Sequence, residues 1–271
     1  MNSRTSITIN DLKGFKAHGR RFAMLTAYDF PTAQILDSAG VEVILVGDSL
    51  AQVALGYPTT LPVTMDEMLH HTRAVTRAAL HTLVVADMPF GSYQGPVEMG
   101  VGNAVRFLKE AGAHAVKFEG PNLALTEALT SQGIPVMAHL GLTPQSVHAM
   151  GGYRVQARTP ESAQRLLADA ESMQKAGAFC LVLEGIPAEV AAKITKSLQI
   201  ATIGIGAGPS CDGQVLVLND LLGMGAAPDP KFVKRYADLR HTITSAVEAF
   251  KAEVESGEFP GPEHSYTGGQ G

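Results

Sequence analysis

A single (β/α)8 TIM barrel is the fold that this 271-residue chain predicts. Three observations lead to it. Short apolar runs of strand length alternate with longer amphipathic segments, the rhythm of parallel strands joined through helices. The runs are apolar without alternation, as strands buried on both faces must be. Run after run ends on a polar residue suited to chemistry, and in a barrel the carboxyl ends of all strands open onto one mouth.

Eight runs qualify as strands: residues 22–26, 43–47, 83–87, 115–118, 135–139, 180–184, 201–205 and 214–218. Between them the helix ends are recognisable. Asp29 can cap a helix with Pro31 in its first turn and Gly40 at its stop. Thr64 and Glu67 have capping-box spacing and open a helix to about Leu80. Pro96 to Ala111 reads as helix stopped by Gly112, and Thr159-Pro160-Glu161 opens another that runs to Ala176. Pro187 supplies a helix start after the sixth run, and Asp229-Pro230 opens a long final helix ended by Gly257. The connection Ser49–Thr64 is long, whereas Gly206–Gly213 leaves little room for a helix. A doubly wound open sheet is the rival architecture, but no GxGxxG fingerprint follows the first strand. With no linker in view, residues 1–271 are expected to form one domain, with 260–271 as a fraying Gly- and Pro-rich tail.

Composition narrows the function classes. Apolar residues make up 45% and charged residues 17%, as in a globular protein with a real core. A net charge of −5 offers no general attraction to nucleic acid. Cys180 and Cys211 form no CxxC spacing, so neither a disulfide framework nor a zinc site is suggested, and Cys180 reads as core filler. No apolar stretch reaches the ~18 residues of a membrane span, and the polar N-terminus lacks a signal core. The expectation is a cytoplasmic protein with no membrane or nucleic-acid partner.

Asp48, Asp87, Glu119, His139 and Glu184 all fall at strand ends. Four carboxylates in one mouth repel one another unless a cation is present. Oxygen ligands with a single histidine and no cysteine favour Mg2+ over zinc. Asp48 and Asp87 end neighbouring strands and form the natural first pair, although either alone also reads as a turn or helix cap. Lys117 lies two residues before Glu119 on the same face. It reads either as a structural ion pair with Glu119 or as a buried cation for an anionic substrate. His139 alone reads equally as a core histidine. Glu184 is a general-base candidate, because Pro187 already starts the next helix. Gly204, Gly206 and Gly208 suit either ligand approach or a tight turn. His70-His71 reads as packing or solvent-exposed, and Asp37, Glu42 and the charges of the last helix as solvated faces.

Ordered motifs across most of the chain carry a resemblance. They include Leu25-Thr26-Ala27-Tyr28-Asp29, Val46-Gly47-Asp48-Ser49-Leu50, Gly56-Tyr57 with Thr59-Thr60, and Asp87-Met88-Pro89-Phe90-Gly91-Ser92-Tyr93. They continue as Val116-Lys117-Phe118-Glu119-Gly120, His139-Leu140-Gly141-Leu142-Thr143-Pro144-Gln145, Leu183-Glu184, Ile203 to Gly208 and Asp212 to Val217. Together these resemble the ketopantoate hydroxymethyltransferase (3-methyl-2-oxobutanoate hydroxymethyltransferase) family from about Phe22 to Phe250. One departure is Ala157, where the family usually has glycine.

The resemblance implies a TIM barrel, Mg2+, and 5,10-methylenetetrahydrofolate as co-substrate. It implies hydroxymethyl transfer to 3-methyl-2-oxobutanoate through a Mg2+-stabilised enolate, giving ketopantoate for pantothenate and coenzyme A synthesis. By the family pattern Asp48, Asp87 and Glu119 correspond to metal-binding residues, Glu119 directly or through water. Asp48, Ser49, Asp87, Lys117 and His139 correspond to substrate-binding residues, Glu184 to the base, and the assembly to a homodecamer. The alternative is a Mg2+-dependent C–C lyase or mutase of the isocitrate lyase/phosphoenolpyruvate mutase type, which needs no folate. A non-catalytic binding barrel is a third class, disfavoured because a scaffold need not concentrate buried charge.

Overall fold

In a computed structural model that describes residues 5–225 and 230–268, the strands close into a barrel. They are β1 Phe22–Thr26, β2 Val43–Val46, β3 Leu83–Asp87, β4 Ala115–Glu119, β5 Val136–Gly141, β6 Cys180–Glu184, β7 Ala201–Ile205 and β8 Gly213–Leu216. Each pairs in parallel with the next, and β8 returns to β1. Every expected strand is present, within two residues at either end. The open-sheet rival is excluded by the β1–β8 pairing, with Phe22 opposite Gly213 and Leu25 opposite Leu216.

The helices are α1 Ile9–Ala17, α2 Phe30–Ala39, α3 Leu50–Val53, α4 Met65–Ala78, α5 Val97–Ala111, α6 Leu123–Ser131, α7 Pro160–Lys175, α8 Ala188–Ser197, α9 Leu218–Leu221 and α10 Leu239–Ser256. Asp29 caps α2 by accepting the Thr32 N–H, and Thr64 with Glu67 forms the capping box of α4. No helix intervenes between β7 and β8, as the short connection required. There Gly208 takes a left-handed φ of 78°, and a Cβ on it would meet the Ala188 Cβ at 2.4 Å, so this glycine serves the turn and its packing.

The barrel core follows the pleat. Phe22 and Met24, Val43 and Leu45, Leu83 and Val85, Cys180 and Val182, and Ala201 and Ile203 alternate into one buried cluster. Leu12 and Phe15 of α1 join it, so this helix packs against side chains from the amino ends of the strands. The sequence reading did not foresee α1. Its signal was Thr8 with Asp11, whose carboxylate accepts from both the Thr8 N–H and hydroxyl. Lys16 ties α1 to the barrel through Asp212 at 2.8 Å and the Thr195 carbonyl at 2.8 Å.

By contacts the chain groups into two compact units, Met1–Leu218, which holds the whole barrel, and Asn219–Gly271. In the second unit the final helix begins at Leu239 behind an Asp238 cap, later than expected. The N–H groups of Tyr236 and Leu239 donate to the carbonyls of Leu221 and Leu222, which removes the donors that an earlier helix would need. Asp229, the expected helix start, lies outside the described residues, as do 269–271 of the expected tail. Pro262–His264 of that tail forms a 3-10 turn.

Two surface assignments are corrected. Asp37 is buried, and its carboxylate accepts from the His81 N–H (2.8 Å), the Thr82 N–H (2.9 Å), the Thr82 hydroxyl (2.9 Å) and His81 Nδ1 (3.0 Å). Glu42 accepts from Arg20 at 2.9 Å and from the Ala23 N–H at 3.1 Å. Both join segments that are distant in sequence, which no local pattern announces. His71 does pack, through Nδ1 against the Tyr28 carbonyl at 2.6 Å, while His70 is exposed.

Burial raises the Asp37 carboxyl, but its hydrogen bonds outweigh that and hold it below the ordinary value of 3.8. The Asp37→Ala variant is expected to lose ~3 kcal/mol of stability in urea unfolding near neutral pH. Because the folded value is depressed, this contribution is complete above the ordinary value. It is lost as pH falls through the folded one, so parent and variant should converge in acid. A constant difference down to pH 2 would refute the carboxylate as its source.

Candidate active site

The parity that fills the core also builds the mouth. Continuing the inward positions by two residues brings Asp87 on β3, Lys117 and Glu119 on β4, His139 on β5 and Glu184 on β6 to the carboxyl end of the barrel. Register sets them side by side: Asp87 is opposite Lys117, and Glu119 is opposite His139. Asp48 enters from the turn after β2, and its N–H donates to Asp87 Oδ2 at 3.1 Å. The structure thus brings together all the residues that the sequence singled out at the strand ends.

Charge organises the site. Asp48, Asp87, Lys117, Glu119 and His139 are all buried. Lys117 Nζ lies 2.7 Å from Asp87 Oδ1 and donates to His139 Nδ1 at 3.2 Å. The partner of Lys117 is therefore Asp87; the expected pairing with Glu119 survives only as a longer-range attraction that still helps keep the ammonium charged. Burial opposes that charge, but Asp87, Glu119 and Asp48 together overcome the penalty and push the Lys117 value up.

Because Lys117 donates to Nδ1, the proton of a neutral His139 sits on Nε2. That nitrogen lies 3.2 Å from Glu184 Oε2, off the line of a good hydrogen bond. Burial first, and then the Lys117 charge, hold His139 below its ordinary value and so favour the neutral ring. Glu184 is the carboxylate of the group that reaches the rim, with a side chain 17% exposed. Its loop is held close by Gly141, where φ is 97° and a Cβ would meet the Glu184 carbonyl oxygen at 2.3 Å. Ser49 is half-buried, and its hydroxyl bonds with that of Tyr28 at 2.9 Å.

Among the described residues no three His, Cys, Asp or Glu side chains converge into a ready-made metal cage. The donor set nonetheless fits a hard cation. Burial and then the Asp87 charge push Asp48 up to about 7, while burial and the Asp48 charge push Glu119 well above the usual carboxylate range. One lysine does not balance three buried carboxylates, so the cluster must take up either protons or further positive charge. Mg2+ commonly uses only one or two protein carboxylates and completes its shell with water and substrate.

The sequence reading attached no role to Tyr93 or Gln145. Gln145 is buried on the 3-10 turn Pro144–Ser146, donating from Nε2 to Asp48 Oδ2 at 2.9 Å and from its backbone N–H to Glu119 Oε2 at 2.9 Å. Neither residue carries a charge that would mark it. Their only signal was membership of the motifs that follow β3 and β5.

A closed barrel whose mouth gathers buried carboxylates, a lysine paired with them, a histidine and a rim glutamate defines a TIM-barrel enzyme equipped for acid–base chemistry. The family is given by sequence comparison. A family model described as ketopantoate hydroxymethyltransferase matches residues 6–262, and the chain belongs to that family. The 3-methyl-2-oxobutanoate hydroxymethyltransferase of Geotalea daltonii is 56% identical over 265 residues, covering 97% of this chain and 99% of the relative. That of Carboxydothermus hydrogenoformans is 54% identical, covering 96% of this chain and 95% of the relative.

Among solved structures, a phosphonopyruvate hydrolase complex with oxalate and Mg2+ superposes with a TM-score of 0.61 at 14% identity, covering 95% of this chain and 93% of the other. A 2,3-dimethylmalate lyase of the PEP mutase/isocitrate lyase superfamily gives 0.60 at 16%, covering 97% and 89%. These two likenesses are of fold alone. The departure at Ala157 falls on a left-handed residue, with φ 54°, where glycine would be free of the side-chain penalty.

The buried Lys117–Asp87 pair gives a direct test. Lys117→Met leaves Asp87 beside two other carboxylates without its cation. The metal-free protein is expected to lose ~3–5 kcal/mol in urea unfolding. An unchanged midpoint and slope would show that the pair contributes nothing to the fold.

Proposed function

We propose that this chain transfers a hydroxymethyl group from 5,10-methylenetetrahydrofolate to 3-methyl-2-oxobutanoate, giving ketopantoate in the cytoplasmic synthesis of pantothenate and coenzyme A. Beyond family membership, one observation carries the chemistry: Glu184 stands at the rim within 3.2 Å of a buried His139, while the deeper carboxylates cluster around Lys117. A base must reach the substrate, and the groups that offset charge must be fixed behind it. No helix of the described residues is long and apolar enough to cross a membrane.

In this reading Asp48 and Asp87 hold Mg2+, with Glu119 completing the set directly or through water. When bound, the ion supplies a Lewis acid for the ketone and carboxylate oxygens of the keto acid. The residues do the rest. Lys117 offsets the carboxylate of the substrate, and Ser49, half-buried at the mouth, offers it a hydroxyl. Glu184 removes the C3 proton, and the resulting enolate carbon bonds to the one-carbon unit. The two C–N bonds that held this carbon to the folate give way to that C–C bond and to a C–O bond from water. The C3 proton and one water proton return to the two nitrogens to leave tetrahydrofolate. His139 lies beside Glu184 and favours its neutral form, so it adds no charge that would weaken the base.

A lyase or mutase of the isocitrate lyase/phosphoenolpyruvate mutase type shares the barrel, but the 2,3-dimethylmalate lyase of that superfamily is 16% identical, against 54–56% for the hydroxymethyltransferases. The family resemblance also supports a homodecamer, and the exposed Phe30 and Ile35 of α2 offer apolar surface for association. Sedimentation velocity is expected to give ten times the 28.5 kDa chain mass; a monomer would refute it.

For the base, parent enzyme with Mg2+ should exchange the C3 proton of 3-methyl-2-oxobutanoate in D2O, and Glu184→Gln should slow both exchange and turnover by ~10²–10⁴-fold. Undiminished exchange in the variant would remove Glu184 from that role. Absence of hydroxymethyl transfer by the parent would remove the reaction itself.

A further inference from the structure

Gln145 is the uncharged residue at the centre of the carboxylate cluster, and all of its amide is committed. Oε1 accepts from the Tyr93 hydroxyl at 2.6 Å and from Gln94 Nε2 at 3.2 Å. Nε2 donates to Asp48 Oδ2 at 2.9 Å and to the Met88 carbonyl at 3.0 Å. The direction of the amide is fixed by its neighbours. The Tyr93 oxygen already accepts the Glu119 N–H at 3.1 Å, so its own proton is free for Oε1. Met88 presents only a carbonyl, which requires a donor. With both Nε2 protons placed, the amide holds one named oxygen of Asp48, while the Gln145 backbone holds one of Glu119. Tyr93 packs against Phe118 with ring centroids 5.4 Å apart, which anchors the far end of the network.

We propose that Gln145, locked by Tyr93 and Gln94, is a positioning residue that sets the Asp48 and Glu119 carboxylates in the orientation that receives a divalent cation. The proposal rests on the reading of those carboxylates as metal ligands. The chemistry of the amide suits the task. A lysine there would compete with the cation, and a glutamate would add to the repulsion among Asp48, Asp87 and Glu119. An amide aligns a carboxylate through a donor while leaving the net charge of the pocket unchanged. It draws on four separate segments: the turn after β2 with Asp48, the Met88–Gln94 stretch after β3, Glu119 on β4 and the turn after β5. This gives a physical reason for two motifs whose roles were otherwise open, Gly91-Ser92-Tyr93 and Thr143-Pro144-Gln145.

The test is Mn2+ binding to the full-length protein, followed by electron paramagnetic resonance without substrate, for parent, Gln145→Met and Tyr93→Phe. The expected result is an affinity ~10–100-fold weaker in Gln145→Met and a loss of the same sign but smaller in Tyr93→Phe. Turnover should recover partly in both variants as Mn2+ is raised, which a purely structural lesion would not produce. If Gln145→Met does not fold, Tyr93→Phe decides on the same criteria. Parent-like Mn2+ affinity in the variants, with only a lowered melting temperature, overturns the positioning role alone. Failure of the parent to bind Mn2+ overturns the metal reading and this proposal with it.

Discussion

The 2.7 Å contact between Lys117 and Asp87 is the interaction on which the arrangement of the mouth depends. An ammonium in a nearly dry barrel is tolerable only when carboxylates surround it, and those carboxylates tolerate one another only because of the ammonium. Lys117 engages both oxygens and nitrogens of its surroundings: Asp87 takes one of its protons and His139 Nδ1 another. The second bond has a consequence at a distance, because it leaves the ring proton of a neutral imidazole on Nε2, the nitrogen 3.2 Å from Glu184. A buried charge pair on β3 and β4 thereby conditions a carboxylate on β6. Asp87 repeats the device on its other side, accepting the Asp48 N–H and so fixing the turn after β2.

Much of this was legible in the sequence because the barrel repeats one rule. Strands buried on both faces read as apolar runs, and two-residue parity then decides which side chain of each run enters the interior. Asp87, Glu119, His139 and Glu184 stood out because charge at the end of an apolar run is conspicuous. Lys117 stood out because it interrupts one. What the sequence could not reveal were contacts between segments far apart in the chain. The Lys117 ammonium chose Asp87 across the sheet over Glu119 on its own strand, a choice set by register. Asp37 looked like a solvated helix position until His81 and Thr82 closed on it from the start of β3. Gln145 carried no charge, so nothing in a linear reading separated it from a loop residue. Helix α10 begins late because the carbonyls of Leu221 and Leu222 take the N–H groups of Tyr236 and Leu239, again nonlocal bonds.

Fold and chemistry separate cleanly here. Superposition reaches barrels that work on other acids at 14–16% identity, and it shows that the scaffold is shared. Sequence identity above 50% is a different kind of likeness, because the match spans almost the whole chain, loops included. The loops matter for a physical reason. A barrel delivers inward side chains from every strand, but it does not by itself decide how those side chains are turned. In this chain that decision is made by the turn carrying Gln145, by the segment carrying Tyr93 and Gln94, and by Gly141, which lets β5 lie against the Glu184 backbone.

Neutral hydrogen bonding and charge therefore divide the work in the mouth. Charge places Lys117 among its carboxylates and makes the pocket receptive to further positive charge, since burial and mutual repulsion leave Asp48 and Glu119 reluctant to ionise together. It cannot orient them, because Coulomb attraction is weakly directional. Orientation requires donors with fixed geometry, and the amide of Gln145 supplies one to Asp48 while its backbone supplies one to Glu119. Glu184, held by neither, is left closer to solvent. The same cluster thus holds two kinds of carboxylate, some restrained by fixed donors and one left accessible at the rim, and the difference between them comes from hydrogen-bond partners more than from position along the strands.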